Sequence, residues 1–281
     1  MICLGIYVGR DYWLRHYGNR INMETEHYTI SSTATQPQTI LIGKAVESLY
    51  AAYTGFFRDL RNINRKRVKL KLVLYKDRKE FAVHNRNSSW AEAFYQTPYC
   101  HAYYSEGKAN PYHWMIHEGT HQLNVEVAHF KIENWIDEGL ATYFGTSTIN
   151  GGNMLLGRID VNTYPIWWLH SMSLTGNLQN DIKNGKIIPL GALITGNDGP
   201  DIDKHFNLYY LHYWSLTHFL FHYEGGKYSD NYRELIAEGG LLESFEKRIG
   251  PIDQIQREWY NYLQQKISEV DTLTRMVKEK Q

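Results

Sequence analysis

Cysteine is nearly absent: Cys3 and Cys100 are the two in 281 residues, and they form no C-x-x-C pair. That excludes a disulfide scaffold and a cysteine-based zinc knuckle. It does not identify a compartment, because an exported enzyme needs no disulfides. An excess of charge is missing as well, with Lys plus Arg and Asp plus Glu at 30 each. Without a basic stripe, nucleic acid is not an expected partner. No stretch has the roughly 20 consecutive apolar residues of a transmembrane helix. The aromatic run from Tyr209 to Tyr223 is interrupted by histidines and reads as a buried helix. Gly/Ser-rich tracts and solenoid-length repeats are also lacking. The apolar start, Met1 to Gly9, lacks the basic n-region of a signal peptide. It reads either as a first strand or frayed start, or as a clipped export signal, so the chain is expected to be exported or cytoplasmic according to which holds.

What is present is the composition of a folded globular protein, with 43% hydrophobic and 21% charged residues, which argues against disorder. The length suits one large domain or two modest ones. Residues 27–34 alternate and are β-branched, predicting a strand, and 36–60 carry a helical apolar stripe through Ile40, Ala45, Leu49, Tyr53 and Phe57. Val68 to Tyr75 places Val68, Leu70, Leu72 and Leu74 on one face and Lys69 and Lys71 on the other, the clearest strand pattern in the chain. Asp77 is positioned to cap a helix through His84, with a polar connection over 85–89. A strand is expected over 98–105, at the sheet edge. Helices are expected over about 111–129, 134–144, 189–195, 204–223, 230–237, 240–248 and 252–269, with a charged tail from Ser268.

The chemistry concentrates at His117-Glu118-Gly119-Thr120-His121, an H-E-x-x-H box. On a helix, residues four apart share a face, so both imidazoles can reach one metal ion, with Glu118 beside them as a base toward water. A catalytic zinc keeps three protein ligands and an open position. Glu138 is the best third candidate by position, one helix later, and Gly139 and Ala141 beside it are small enough to let two helix backbones approach. A third histidine is the competing arrangement. His129 is the only histidine in range, eight past His121, and no glycine lies between Gly119 and it.

The box, followed by Asn134-Trp135-Ile136-Asp137-Glu138-Gly139-Leu140-Ala141-Thr142-Tyr143-Phe144, resembles gluzincin-type metallopeptidases, and most closely the peptidase-MA-like domains of bacterial proteins. Looser similarity extends to residues 27–75 and to Tyr210-Leu211-His212-Tyr213-Trp214. The resemblance implies Zn2+ held by His117, His121 and Glu138. It implies Glu118 as general base and, by chain position, Tyr210 as donor to the developing oxyanion, with His205 and Tyr209 behind it. The chain departs from thermolysin-like enzymes at Thr142, which stands where an aspartate would hydrogen-bond a zinc histidine. Asp137, Asp160 and Asp181 remain candidates by residue type for that carboxylate.

The expected fold is α+β and gluzincin-like: an N-terminal segment (1–25), an α/β subdomain carrying the H-E-x-x-H helix (26–130), and a helical subdomain carrying the third ligand (131–281). The expected activity is zinc-dependent hydrolysis of peptide bonds in a peptide or protein substrate. A catalytically silent zinc-containing binding domain and a hydrolase of a non-peptide amide bond are the alternatives. His218 and His222, four apart without a glutamate between them, are expected as a buried or rim-lying pair with backbone partners. His113, four before His117 and on nearly the same face, is expected at an N-terminal surface position, with lining the site as the alternative. Cys100 is read as a small strand residue, and the 22 tyrosines and 8 tryptophans are read as core aromatics in preference to a carbohydrate platform.

Overall fold

The computed structural model describes residues 20–60, 69–86, 91–108 and 110–278. The readings of Met1–Gly9, of Val68 and of residues 87–89 lie outside them. The fold is α+β, a five-stranded mixed sheet with helices followed by a mainly helical C-terminal part. Contacts divide it into two compact units, one built on the sheet and one helical.

In the sheet unit, β1 (Ile21–Glu24) and β2 (Tyr28–Ser32) pair antiparallel. The helix α1 (Gln36–Phe56) then crosses over to β3 (Leu70–Tyr75), which runs parallel to β2 as a helical crossover requires. The helix α2 (Arg78–His84) follows, its first turn capped by the Asp77 carboxylate, which accepts from the Glu80 N–H at 2.8 Å. Next come β4 (Ala93–Gln96) and β5 (Tyr99–Tyr103), antiparallel to each other, with β5 parallel to β3. The resulting order is β1-β2-β3-β5-β4.

Two expectations need correction. The strand expected at the edge, now β5, lies inside the sheet. The edge belongs to β4, whose four residues (Ala93-Phe94-Tyr95-Gln96) are too short to announce themselves by alternation. Likewise, β3 does not alternate between core and solvent as its lysines suggested. Leu72 and Leu74 face one side, while Val73 and Tyr75 are buried on the other with Phe81 of α2 and Tyr99. A central strand covered on both faces has no dry-wet alternation to display. Residues 21–24, within the expected N-terminal segment (1–25), join the sheet as β1.

The Leu72 face carries α1 and α3 (His113–Glu126), the H-E-x-x-H helix. Tyr28 of β2 meets Tyr50 of α1 edge to face at 6.4 Å, and Cys100 of β5 meets Met115 of α3 with its sulfurs 3.4 Å apart. Cys100 is fully buried, as a small strand residue; burial, with Glu118 and Glu126 nearby, pushes its thiol well above the ordinary value, so it is not a poised nucleophile. The ribbon of β6 (Thr148–Asn150) and β7 (Asn153–Leu155) turns at Gly151-Gly152, and the Ser48 hydroxyl of α1 donates to the Gly152 carbonyl at 2.7 Å.

The helical unit contains α4 (Asn134–Gly145), a 3-10 turn (Ile166–Ser171), α5 (Leu178–Lys183), α6 (Leu190–Thr195), α7 (Phe206–His222), α8 (Ser229–Ala237), α9 (Leu242–Arg248) and α10 (Ile252–Lys278). The expected charged tail is the continuation of α10. Its periodic face buries Ile255, Trp259, Leu263 and Val270, and helical spacing continues past Ser268. No helix among the described residues is long and apolar enough to cross a membrane.

The centre of this unit is α7, buried along nearly its whole length as the aromatic run suggested. Its polar groups are matched one by one. The Trp214 indole donates to Thr146 Oγ1 at 3.1 Å, and the Trp259 indole of α10 donates to Ser215 Oγ at 3.2 Å. His212 Nδ1–H donates to the Leu208 carbonyl at 2.7 Å, leaving Nε2 to accept from the Ile188 N–H at 3.4 Å. His218 uses the opposite tautomer. Nε2–H donates to the Gly157 carbonyl at 2.9 Å, and Nδ1 accepts from the Tyr262 hydroxyl at 2.6 Å. His222 Nε2 meets the Tyr143 hydroxyl at 2.8 Å. His212 and His218 are thus buried and internally partnered, which supports their reading as structural groups, while His222 is exposed at the end of the helix.

Each of these two rings uses one nitrogen as donor and one as acceptor, so a second proton would break a bond. Burial accordingly pushes His212 down to about 4 and His218 down to about 3, the latter with His222 also lowering it. Between those values and the unfolded value of about 6.5, the unfolded chain binds more protons than the folded one, so stability must fall as pH falls. For the metal-free protein, urea unfolding from pH 7 to pH 5 should lose about 1.4 kcal/mol per pH unit for each such histidine once below about pH 6. An unfolding free energy that stays flat over that interval would contradict the assigned tautomers.

Candidate metal centre

The helix α3 is unusual in what it buries. Of its fourteen residues, His113, His117, Thr120, Gln122, Asn124 and Glu126 are buried polar groups. Such side chains need partners. Tyr53 of α1 donates its hydroxyl to Asn124 Oδ1 at 2.6 Å, and Thr120 returns its own to the Ile116 carbonyl at 2.9 Å. Gln122 Nε2 donates to the Pro98 carbonyl and to Glu126 Oε1, each at 3.1 Å, and Tyr95 of β4 donates to the same Glu126 oxygen at 3.1 Å. Gly119 lies against α1, where a Cβ would come within 3.0 Å of the tip of Leu49. The helix is therefore pinned to α1 by one row of side chains and to the sheet by another.

Its start and end differ slightly from expectation. Pro111 lies in the preceding turn, α3 begins at His113, and it ends at Glu126 rather than near His129. His113 is not at the surface. It is 6% exposed, and its ring centroid is 6.4 Å from that of His117.

The two box histidines converge. His117 Nε2 and His121 Nε2 are 3.3 Å apart. Two nitrogens each about 2.05 Å from one tetrahedral ion would be separated by about 3.3 Å. The spacing fits a shared metal; without one it is also that of a hydrogen bond from one Nε2–H to the other ring. A carboxylate oxygen of Glu138 completes the group, and the three ligand atoms all lie within 4.8 Å of one another. His117 is buried, while His121 and Glu138 are half-buried. Two imidazole nitrogens and one carboxylate oxygen are a donor set that suits zinc and leaves room for a fourth ligand. The residues fit the ion that the sequence suggested, and Glu118 lies in the same turn of α3 as both histidines.

Glu138 is positioned by the start of α4. This helix is capped at Glu133, not at Asn134, and Asn134 is its first residue. The Glu133 N–H donates to the Gly239 carbonyl at 2.8 Å, and the buried Trp135 indole donates to the Gly240 carbonyl at 3.0 Å. Both glycines have positive φ, +99° and +86°, and a Cβ on Gly240 would clash with Ile136. A glycine pair between α8 and α9 thereby fixes the helix end one turn before the ligand, a link the sequence gives no local sign of.

Gly139 also has a partner other than the one expected. A Cβ there would collide with Thr217 Oγ1 and come within 3.2 Å of the Tyr213 carbonyl oxygen, both on α7. Its smallness lets α4 and α7 pack backbone to backbone. It was expected to bring α4 against the H-E-x-x-H helix.

The remaining sequence candidates separate by what they bond. Buried Asp181 accepts from the Thr175 N–H at 2.9 Å and from the Tyr260 hydroxyl at 2.6 Å. Burial pushes its carboxyl up, but those bonds and Lys186 outweigh it and hold it below the ordinary value. Asp160 accepts from Thr163 at 2.7 Å and from the Asn162 N–H at 3.0 Å. Asp160 serves its own loop, and Asp181 ties α5 to Thr175 and to Tyr260 of α10. Asp137 lies in the first turn of α4. Tyr209 is buried and donates to the Pro200 carbonyl at 2.8 Å, and His205 caps the start of α7 from an exposed position. Tyr210 is half-buried, its ring 4.2 Å from Phe206, 5.9 Å from Tyr164 and 6.2 Å from Tyr213.

No protein-family model matches this chain, and no curated protein matches it. The functional reading therefore rests on the site itself.

Two outcomes are expected. Metal analysis of the purified protein should find about one zinc per chain, and none in a His117→Ala/His121→Ala variant; zinc retained by that variant would remove the site. Gly139→Ala should destabilise the fold by about 1–3 kcal/mol and weaken zinc binding, because α4 must move off α7. Gly119→Ala, which meets only the flexible end of Leu49, should cost less than Gly139→Ala in the same urea titration. The reverse order would show that the close α4–α7 approach does not position Glu138.

Proposed function

We propose that this protein is a zinc-dependent metallopeptidase of the gluzincin type that hydrolyses peptide bonds in peptides or proteins. The observation that carries the reading is the convergence of His117, His121 and Glu138, with Glu118 inside the same box. The resemblance of both sequence stretches to peptidase-MA-like domains adds to it. Zinc, when bound, supplies Lewis acidity that lowers the pKa of a water and polarises a carbonyl.

The chain's own groups have three tasks. His117, His121 and Glu138 hold the ion. Glu118 takes a proton from the attacking water on a carboxylate oxygen and delivers it to the departing amine, as a general base and then a general acid. Tyr210 donates its hydroxyl to the carbonyl oxygen as negative charge develops there. What supports Tyr210 is its place on α7. Phe206, Tyr210 and Tyr213 recur at helical spacing on one face, and Tyr213 adjoins Gly139, the residue after the ligand Glu138. Tyr210 is also half-buried, and the Tyr209 hydroxyl donates to the Pro200 carbonyl.

An intact Glu118 favours hydrolysis over a silent binding domain, since binding alone has no use for that base. Glu118→Gln should keep about one zinc per chain and lower peptide turnover by about 10²–10⁴-fold. Tyr210→Phe in the same assay should lower kcat more than it raises KM. If the wild-type protein with its full zinc cleaves nothing in a broad peptide library, the silent-binder or non-peptide amide reading replaces this one.

A further inference from the structure

Beside Glu138 lies an aromatic cluster that the metal site does not use. Phe206, Tyr210 and Tyr213 lie at i, i+4 and i+7 on α7, so they form one stripe along the helix. Tyr164 packs against Tyr210 at 5.9 Å, and Trp167 packs against Tyr164 at 5.7 Å. The inner end of the stripe is tied to the ligand-bearing helix. Asn134 and Glu138 share a face of α4, the Asn134 amide approaches the Tyr213 hydroxyl at 3.5 Å, and the Tyr213 backbone abuts Gly139. The outer end is open, with Phe206 43% and Trp167 37% exposed.

The stripe therefore begins beside the ligand-bearing helix and ends in exposed rings.

Phe206 and Trp167 expose ring surface at one end of this cluster, and apolar surface that is contiguous in this way is suited to binding. The ring planes decide what fits. Successive pairs are inclined at 70°, 48°, 31° and 62°. A flat sugar face wants a flat platform, whereas inclined rings receive another ring or a branched apolar side chain by edge-to-face contact.

We propose that Tyr164, Trp167, Phe206 and Tyr210 form a specificity subsite that receives an aromatic or bulky apolar side chain of the peptide held at the metal. This rests on the metallopeptidase reading for its substrate class. Trp167 and Phe206 act here through side-chain contact with the substrate and take no part in the proton transfers.

The test measures binding by calorimetry on the zinc-loaded protein, with N-acetyl-phenylalanine hydroxamate and N-acetyl-glycine hydroxamate as probes. Their shared hydroxamate chelates the metal, so the ratio of the two Kd values isolates the side chain. Burial of a phenyl group against these rings should favour the phenylalanine probe by about 10- to 100-fold. In Trp167→Ala/Phe206→Ala the ratio should fall below about 3, and Phe206→Leu should recover part of it, as an apolar contact would. Zinc content and the urea midpoint of each variant check that the fold survives.

A ratio near one in wild type, a ratio unchanged in the double variant, or no binding of either probe overturns the subsite. So does cellotriose binding that is lost in the double variant while the two hydroxamates are not distinguished, which would make the cluster a sugar platform. A clear phenylalanine preference in a protein that cleaves no peptide would overturn the peptidase reading and leave the subsite standing.

Discussion

Everything proposed for this protein depends on holding two imidazole nitrogens 3.3 Å apart with a carboxylate oxygen close by. Such an arrangement is lost on a flexible chain, where the side chains rotate apart. It persists where the helix is held on several sides. On α3 the burial of six polar side chains achieves this, since each must meet a specific partner. Apolar residues could have packed α3 as tightly, yet with less control over its rotation. Hydrogen bonds from Tyr53 to Asn124 and from Tyr95 to Glu126 have narrow angular tolerance, so they fix which face of the helix presents the histidines.

The third ligand is held by different means. Around α4 the controlling contacts are steric: Gly139 against α7, and the Gly239-Gly240 turn against Glu133 and Trp135. A glycine at a backbone-to-backbone contact sets a distance that a larger residue could only lengthen. The same contact joins Glu138 to the aromatic stripe of α7. A position next to a metal ligand thus serves both the ion and the surface that could read the substrate.

Sequence reasoning worked where chemistry and period coincide within a few residues. The H-E-x-x-H spacing placed His117 and His121 on one face, and the Glu138 stretch supplied the third donor that the structure brings near them. The cap at Asp77, the helix of α1 and the buried run of α7 were also legible, because capping groups and long apolar stripes are local signals. Reasoning failed at short or doubly covered elements. The four-residue strands β1 and β4 are below the length at which alternation is informative, and β3 lost its alternation to burial on both faces. His113 was misplaced because a histidine carries no sign of its own burial. Gly139 was rightly singled out for its size and wrongly matched, since a small residue announces a close approach without naming the partner.

The sequence by itself determined the donor types, their helical spacing, and the glutamate beside them, since these depend on residue identity and a 3.6-residue period alone. The tertiary structure alone decided that β5 is interior, that Asp160 is spent in its own loop and Asp181 on Thr175 and Tyr260, and that Gly139 faces α7. It also decided that Phe206 and Trp167, 39 residues apart in the chain, belong to one aromatic surface reached through Tyr164 and Tyr210. Those facts turn on which distant segments meet, and a contact between distant segments is set by the packing of whole elements, which no local pattern encodes.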